Sequence, residues 1–170
     1  MNEFEYNESM EDEVLDMDYV LDTERLVLYP MSALDLRALY LDEQNMDLKK
    51  AYFEMLTGCM DHPDQHMFYT LWMMEEKEDG LFIGNLCFKG LNPDGTIEIG
   101  YGVDEEYRNN GYCTEAVRAM TKWALSQDGV TSIEAETAPA NAASVRVLEK
   151  AGFIRNGKEG EEGPRFTYKG

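Results

Sequence analysis

Two short stretches of the chain bring together groups suited to holding a phosphate-bearing ligand. In "YRNNGYCTEA", residues 107–116, Arg108, Asn109, Asn110 and Gly111 stand just ahead of a helical pattern. Backbone N–H groups of such a loop and of the helix start converge, and oriented donors plus the helix dipole attract an anion. Arg108 adds one local positive charge. The second stretch, "TIEIGYGV", residues 96–103, reads as a strand with Ile97, Ile99, Tyr101 and Val103 on one face. Thr96, Glu98, Gly100 and Gly102 fall on the other. Glycines weaken a strand and mark a bulge or the close approach of a ligand, so this face has room for another extended object. Taken alone, the loop fits equally well an ordinary strand-to-helix turn in which Gly111 only permits the backbone angle.

A third stretch, "CMDHPDQH", spaces Cys59, His62 and His66 as metal ligands sometimes are. It lacks the second ligand pair of a structural zinc site, so no metal is expected and the segment reads as a loop.

These residues need elements to position them. "TERLVLYPM" reads as a strand and "SALDLRALYLDEQ" as a helix with Ser32 as N-cap; a second helix spans roughly residues 45–59. Tyr40, Tyr52, Phe53, Met55 and Leu56 on these helices are expected in the core. From residue 67 three β-rich runs are divided by the turn sequences "KEDG" and "NPDG", which makes an antiparallel meander. The run "FYTLWMM" is expected in the core rather than in a binding surface, with Tyr69 and Trp72 as candidate walls of a second, acceptor pocket. Ala116, Val117, Met120, Trp123 and Ala124 recur at helical spacing in a segment that ends with Gly129. A strand "VTSIEAETA", a helix "NAASVRVLEKAG" closed by Gly152 and a short strand "RFTYKG" complete the chain. The fold class is α/β (α+β): one domain with a mixed, mostly antiparallel sheet flanked by helices.

Composition narrows the partners. The net charge is −19, and residues 1–22 hold nine acidic residues and no basic one. They are read as an acidic N-terminal extension, a tail or a docking helix carrying Phe4, Tyr6, Met10, Val14, Leu15 and Tyr19, ahead of a domain at 23–170. Nucleic acid and anionic membrane are poor partners for such a surface, whereas cationic amines are favoured. The charge also serves solubility alone. Cys59, Cys87 and Cys113 show no paired spacing and read as free thiols. With only short apolar runs and no basic-then-apolar leader, a cytoplasmic location is expected, as a monomer or homodimer.

Arg108-x-x-Gly111-x-Cys113 resembles the acetyl-CoA pyrophosphate loop of the GNAT superfamily of N-acetyltransferases, Gln/Arg-x-x-Gly-x-Gly/Ala, with Cys at the last small position. "EIGYGV", "YRNNGYCTEAV" and "NAASVRVLEKAGF" follow the order and spacing of the branch that includes the ribosomal-protein N-terminal acetyltransferases and small-amine relatives. The resemblance covers about residues 23–157 and leaves the acidic extension outside. It implies that Val103 and the backbone of Arg108, Asn109, Asn110, Gly111, Tyr112, Cys113 and Thr114 bind the pantetheine and pyrophosphate of acetyl-CoA. Asn141 and Ser144 would lie beside the pantetheine arm and thioester, unless Asn141 serves only to cap its helix.

Acetyl transfer to an amine requires loss of a proton, since an alkylamine with a pKa near ~10 is almost fully protonated at neutral pH. Glu98 is the candidate general base, directly or through water, and a strand N–H would polarise the thioester carbonyl. Many family members carry a Tyr seven residues after the Asn; here that position is Leu148. Protonation of the leaving thiolate then falls to Ser144, Tyr101, water or no dedicated group. The implied activity is acetyl transfer within a ternary complex to a small amine or a protein N-terminus. Two other classes stay open: a non-catalytic CoA-binding or interaction module with an acidic tail, and an acidic mimic of nucleic acid.

Overall fold

The computed structural model describes residues 20–170. The reading of Phe4 to Tyr19 as tail or docking helix lies outside the described residues. These hold eight strands: β1 (Leu21–Asp22), β2 (Leu26–Pro30), β3 (Leu71–Glu76), β4 (Leu81–Leu91), β5 (Thr96–Val103), β6 (Ser132–Glu136), β7 (Ile154–Glu159) and β8 (Pro164–Tyr168). The helices are α1 (Ala33–Asp42), α2 (Met46–Asp61), α3 (Tyr112–Leu125) and α4 (Ala142–Ala151). All strands join one sheet in the order β1-β2-β3-β4-β5-β6-β8-β7. Every neighbouring pair is antiparallel except β5 with β6.

Two strands go beyond the sequence reading. The sheet starts at Leu21, paired with Leu28, so it reaches two residues into the segment assigned to the extension. Strand β7 was hidden because "IRNGKE" has no apolar alternation: its face is nearly all solvent, and only its pairing with β8 makes it a strand. Helix α3 stops at Leu125, earlier than its pattern implied, and Gly129 takes φ +83° in the turn that follows.

The helices begin where capping side chains stand. Ser32 Oγ accepts from the Asp35 N–H at 3.0 Å, and Asn45 Oδ1 accepts from Asp47 and Leu48 at 3.0 and 3.2 Å. Alternation along β3 divides the core in two. Trp72 and Met74 join Leu86, Ile97, Ile133 and Phe166 with Val117, Met120 and Trp123 of α3 and Leu148 of α4. Leu71 and Met73 instead meet Leu36 of α1 and Leu56 and Cys59 of α2. Burying one Leu or Ile completely contributes about 1.5–3 kcal/mol, which makes these faces the main source of stability. Among the large α1 and α2 side chains, Leu56 is buried whereas Phe53 is 40% exposed.

Trp72 belongs to the core, and neither it nor Tyr69 lines the two cavities of the candidate site. Trp72 is wholly buried against Trp123, at 5.0 Å between ring centroids, and its indole N–H donates to the Met67 carbonyl. Tyr69 stacks on His62 at 4.6 Å. His66 Nε2 lies 2.8 Å from the Met31 carbonyl oxygen, which gives the histidine a structural use. Among the described residues, no group of three His, Cys, Asp or Glu could hold a metal ion, and no helix is long and apolar enough to cross a membrane.

Candidate functional site

The site exists because β5 and β6 part. They pair only at Thr96, Ile97 and Glu98, opposite Ser132, Ile133 and Glu134; β5 then continues to Val103 without β6 beside it. The freed edge of β5 carries backbone donors and acceptors with no ladder partner from that side, a place for an extended ligand to pair. A Cβ added at Gly102 would meet nothing within 4 Å, so the strand is open where the sequence placed its second glycine.

Beyond β5 the chain reaches the start of α3. Gly111 stands at the N-cap with φ +80° and ψ 2°, and no side chain caps the helix. The first N–H groups of α3 are therefore available to an anion. Asn109, at φ +64°, shares the left-handed conformation. A cleft of about 500 Å³ opens here. Of the residues expected to hold the cofactor, Val103, Arg108, Asn109, Gly111, Tyr112, Cys113, Thr114, Asn141 and Ser144 line it, as does Tyr101. Asn110 does not. Its amide donates to the carbonyls of Tyr107 and Arg108, both at 3.1 Å, so it shapes the loop from behind. Arg108 Nε also donates to Val103 O, at 3.2 Å, closing the turn between strand and helix. Burial pushes the Cys113 thiol up to about 12, so it is neutral and unreactive at physiological pH.

A smaller cavity of about 260 Å³ adjoins the first. Tyr101, Asn141 and Ser144 line both. Tyr101 Oη and Ser144 Oγ are 2.8 Å apart, and burial raises the phenol to about 12 despite the Ser144 contact. Asn141 caps α4, its Oδ1 accepting from Ser144 N at 3.1 Å, while bordering both cavities. Glu98 belongs to the smaller cavity, together with Lys89, Glu136 and Glu162. Its carboxylate pairs with Lys89 Nζ and, at 2.7 Å, with Arg165 Nη2. Arg165 also binds Glu134 at 2.8 Å and Glu136 at 2.9 Å, tying β8 to the ends of β5 and β6.

Besides Lys89 and Arg165, four further residues at or beside the cleft escaped the sequence reading. Arg146 and Lys150, one turn apart on α4, line the larger cleft and supply positive charge in an acidic protein. Their i, i+4 spacing in "NAASVRVLEKAG" was the available signal. Arg25 and Glu115 had none, because their contact is long-range. Glu115, in the first turn of α3, accepts from Thr23 Oγ1 and Arg25 N, both at 2.7 Å, and from Arg25 Nε at 2.8 Å. Arg25 Nη1 donates to Asn110 O at 2.8 Å, and its guanidinium lies 4.3 Å over the Tyr112 ring. Burial pushes the Glu115 carboxyl up, but the Arg25 amide, Thr23 hydroxyl and Arg25 guanidinium outweigh this and hold it below the ordinary glutamate value.

A parallel pair of strands that separates beside an uncapped helix start makes a site for an extended, phosphate-bearing ligand. Residues 25–154 match the family model of the acetyltransferase (GNAT) domain, and the chain belongs to that family. It is 39% identical over 95 residues to the uncharacterized N-acetyltransferase YjdG of Bacillus subtilis (strain 168), covering 55% of this chain and 56% of that protein. The uncharacterized N-acetyltransferase YoaA of the same organism is 26% identical over 149 residues, covering 81% of this chain and 84% of that one. The chain spans about half the length of most of the curated relatives it matches. Among solved structures, the ribosomal-protein-S5-alanine acetyltransferase from Vibrio fischeri superposes with a TM-score of 0.67 at 18% identity, over 89% of this chain and 97% of that one. At that identity the likeness concerns the fold.

Proposed function

We propose that the chain is an acetyl-CoA-dependent N-acetyltransferase of the branch that includes the ribosomal-protein N-terminal acetyltransferases. It moves the acetyl group directly to a primary amine, on a protein N-terminus or a small molecule, in a ternary complex. The observation that carries this reading is the β5 edge freed from β6, which leads past the open side of Gly102 to the uncapped start of α3. The β5 edge would hold the pantetheine arm as an added chain, the N–H groups of residues 112–114 would hold the pyrophosphate, and Arg146 and Lys150, which line the same cleft, would offset further phosphate charge. The reactive thioester then belongs where the two cavities meet, at Tyr101, Asn141 and Ser144.

The amine enters from the side of Glu98, which takes its proton directly or through water. Both partners of Glu98 are cations, so Lys89 or Arg165 must shift as the base works. Tyr101, kept protonated by burial and 2.8 Å from Ser144 Oγ, would return a proton to the leaving sulfur. Its acidic surface fits a cytoplasmic enzyme, monomeric or dimeric, that engages neither nucleic acid nor membrane.

Thermal unfolding with and without acetyl-CoA tests the cofactor site. A ligand at one hundred times its Kd stabilises the fold by about 2.7 kcal/mol. Release of free CoA with a panel of amines and N-terminal peptides then tests transfer. The paired state of Glu98 favours one other reading, a CoA-binding module without turnover. Stabilisation by acetyl-CoA with no CoA release for any amine would select it.

A further inference from the structure

We propose that Lys89 is a site of self-acetylation: its Nζ, paired with Glu98 where the two cavities adjoin, accepts the acetyl group from acetyl-CoA bound to the same chain. The inference rests on the transferase reading above. Lys89 is the only lysine among the residues lining the smaller cavity, and Glu98, Tyr101 and Ser144 line it too. Tyr101 and Ser144 also line the cofactor cleft, so the Lys89 amine shares a wall with the place assigned to the thioester. The Lys89 side chain is 61% exposed at the mouth of the smaller cavity, whereas the Glu98 side chain is 15% exposed and also held by Arg165 through its other oxygen. A lysine ammonium held on the proposed base stands where a substrate ammonium would stand. Burial pulls the Lys89 amine down, but Glu98 outweighs this and keeps it charged, so the reaction is slow and needs that carboxylate.

The chemistry balances without another reactant. Glu98 takes one proton from the Nζ ammonium and passes it to solvent. The neutral nitrogen attacks the thioester carbonyl, forming the C–N bond, and collapse of the tetrahedral intermediate breaks the C–S bond. The second proton leaves nitrogen and goes to the departing sulfur, giving an amide and free CoA thiol. Acetylation removes the charge of Lys89 and its ion pair with Glu98.

The test is mass spectrometry of the full chain incubated with acetyl-CoA carrying an isotopically heavy acetyl group. Lys50 is the internal reference, since it too pairs with a glutamate, Glu54 at 3.8 Å, but on an exposed helix. Lys89 is expected to label on the order of a hundredfold faster than Lys50, the low end of what a positioned base contributes. First-order labelling independent of protein concentration is expected for transfer within one chain. Glu98→Gln should bring Lys89 down to the Lys50 rate, and Lys89→Arg should remove the label. Labelling of Lys89 no faster than Lys50 overturns the proposal, as does an excess that survives Glu98→Gln or scales with protein concentration. The same preparation is checked for stabilisation by acetyl-CoA and for CoA release with free amines. If both occur while Lys89 stays unlabelled, the inference fails and the transferase reading stands; if neither occurs, both fail.

Discussion

Arg25 grips Glu115 twice, through its backbone N–H at 2.7 Å and its Nε at 2.8 Å, although the two residues are 90 positions apart. The same guanidinium holds Asn110 O and covers Tyr112, so the first turn of the domain braces the loop proposed to bind phosphate. Hydrogen bonds to a charged group contribute about 1.5–3 kcal/mol each, and the half-exposed setting of Arg25 puts the effect near the lower figure. Arg25→Ala should lower stability by roughly that amount in chemical denaturation and raise KM for acetyl-CoA more than it lowers kcat.

The same contact fixes a pH response. Glu115 is held below its ordinary value in the folded state, so its contribution is complete above the unfolded glutamate pKa of about 4.3 and is lost as pH falls through the folded value. Urea midpoints measured from neutral pH into acid should therefore fall more steeply for the native chain than for Glu115→Gln.

Gly111 sits at φ +80°, and a Cβ there would lie 3.4 Å from Arg25 Nη2. A left-handed non-glycine residue costs about 1–2 kcal/mol. Gly111→Val should retain the fold with a reduced Tm and lose most of the stabilisation conferred by acetyl-CoA. Undiminished stabilisation would place the pyrophosphate elsewhere.

Arg146 and Lys150 put two positive charges beside the cleft, so the double change to Ala should weaken acetyl-CoA binding most at low salt. Acetyl-dephospho-CoA separates the phosphates. If these side chains serve the one that it lacks, the preference of the native chain for acetyl-CoA disappears in the double variant.

Glu98→Gln should slow turnover with little change in the thermal shift produced by acetyl-CoA; equal turnover would remove Glu98 from the role of base. Ser144→Ala should cost little, since the proton returned to the sulfur is assigned to the Tyr101 phenol and not to the Ser144 hydroxyl. With its phenol at about 12, Tyr101 should impose no alkaline fall in kcat below pH ~10, the ordinary tyrosine pKa. The Cys113 thiol, at about 12, should stay unmodified by iodoacetamide near neutral pH, as peptide mapping would reveal.

Much of this was written in local pattern. Alternation in "TIEIGYGV" identified β5 and its open face, Gly111 marked the left-handed turn ahead of α3, and Asn141 and Ser32 marked helix starts. Each is a short-range signal, set by backbone geometry and by groups within a turn of one another. Strand β7 was illegible for the converse reason, as nothing in its own six residues distinguishes it from loop.

Periodicity, capping and left-handed backbone positions made the element order around the site and the residues of the loop proposed to bind phosphate legible in the chain, and motif resemblance pointed to the family. The environment of each group came from long-range packing. That packing brought Arg25 to Glu115, turned Asn110 away from the cleft, buried Trp72 and Leu148, and set Lys89 and Arg165 on Glu98. Such contacts join residues distant in the chain, and their strength depends on burial and on which charges the sheet order brings together. No local pattern encodes either.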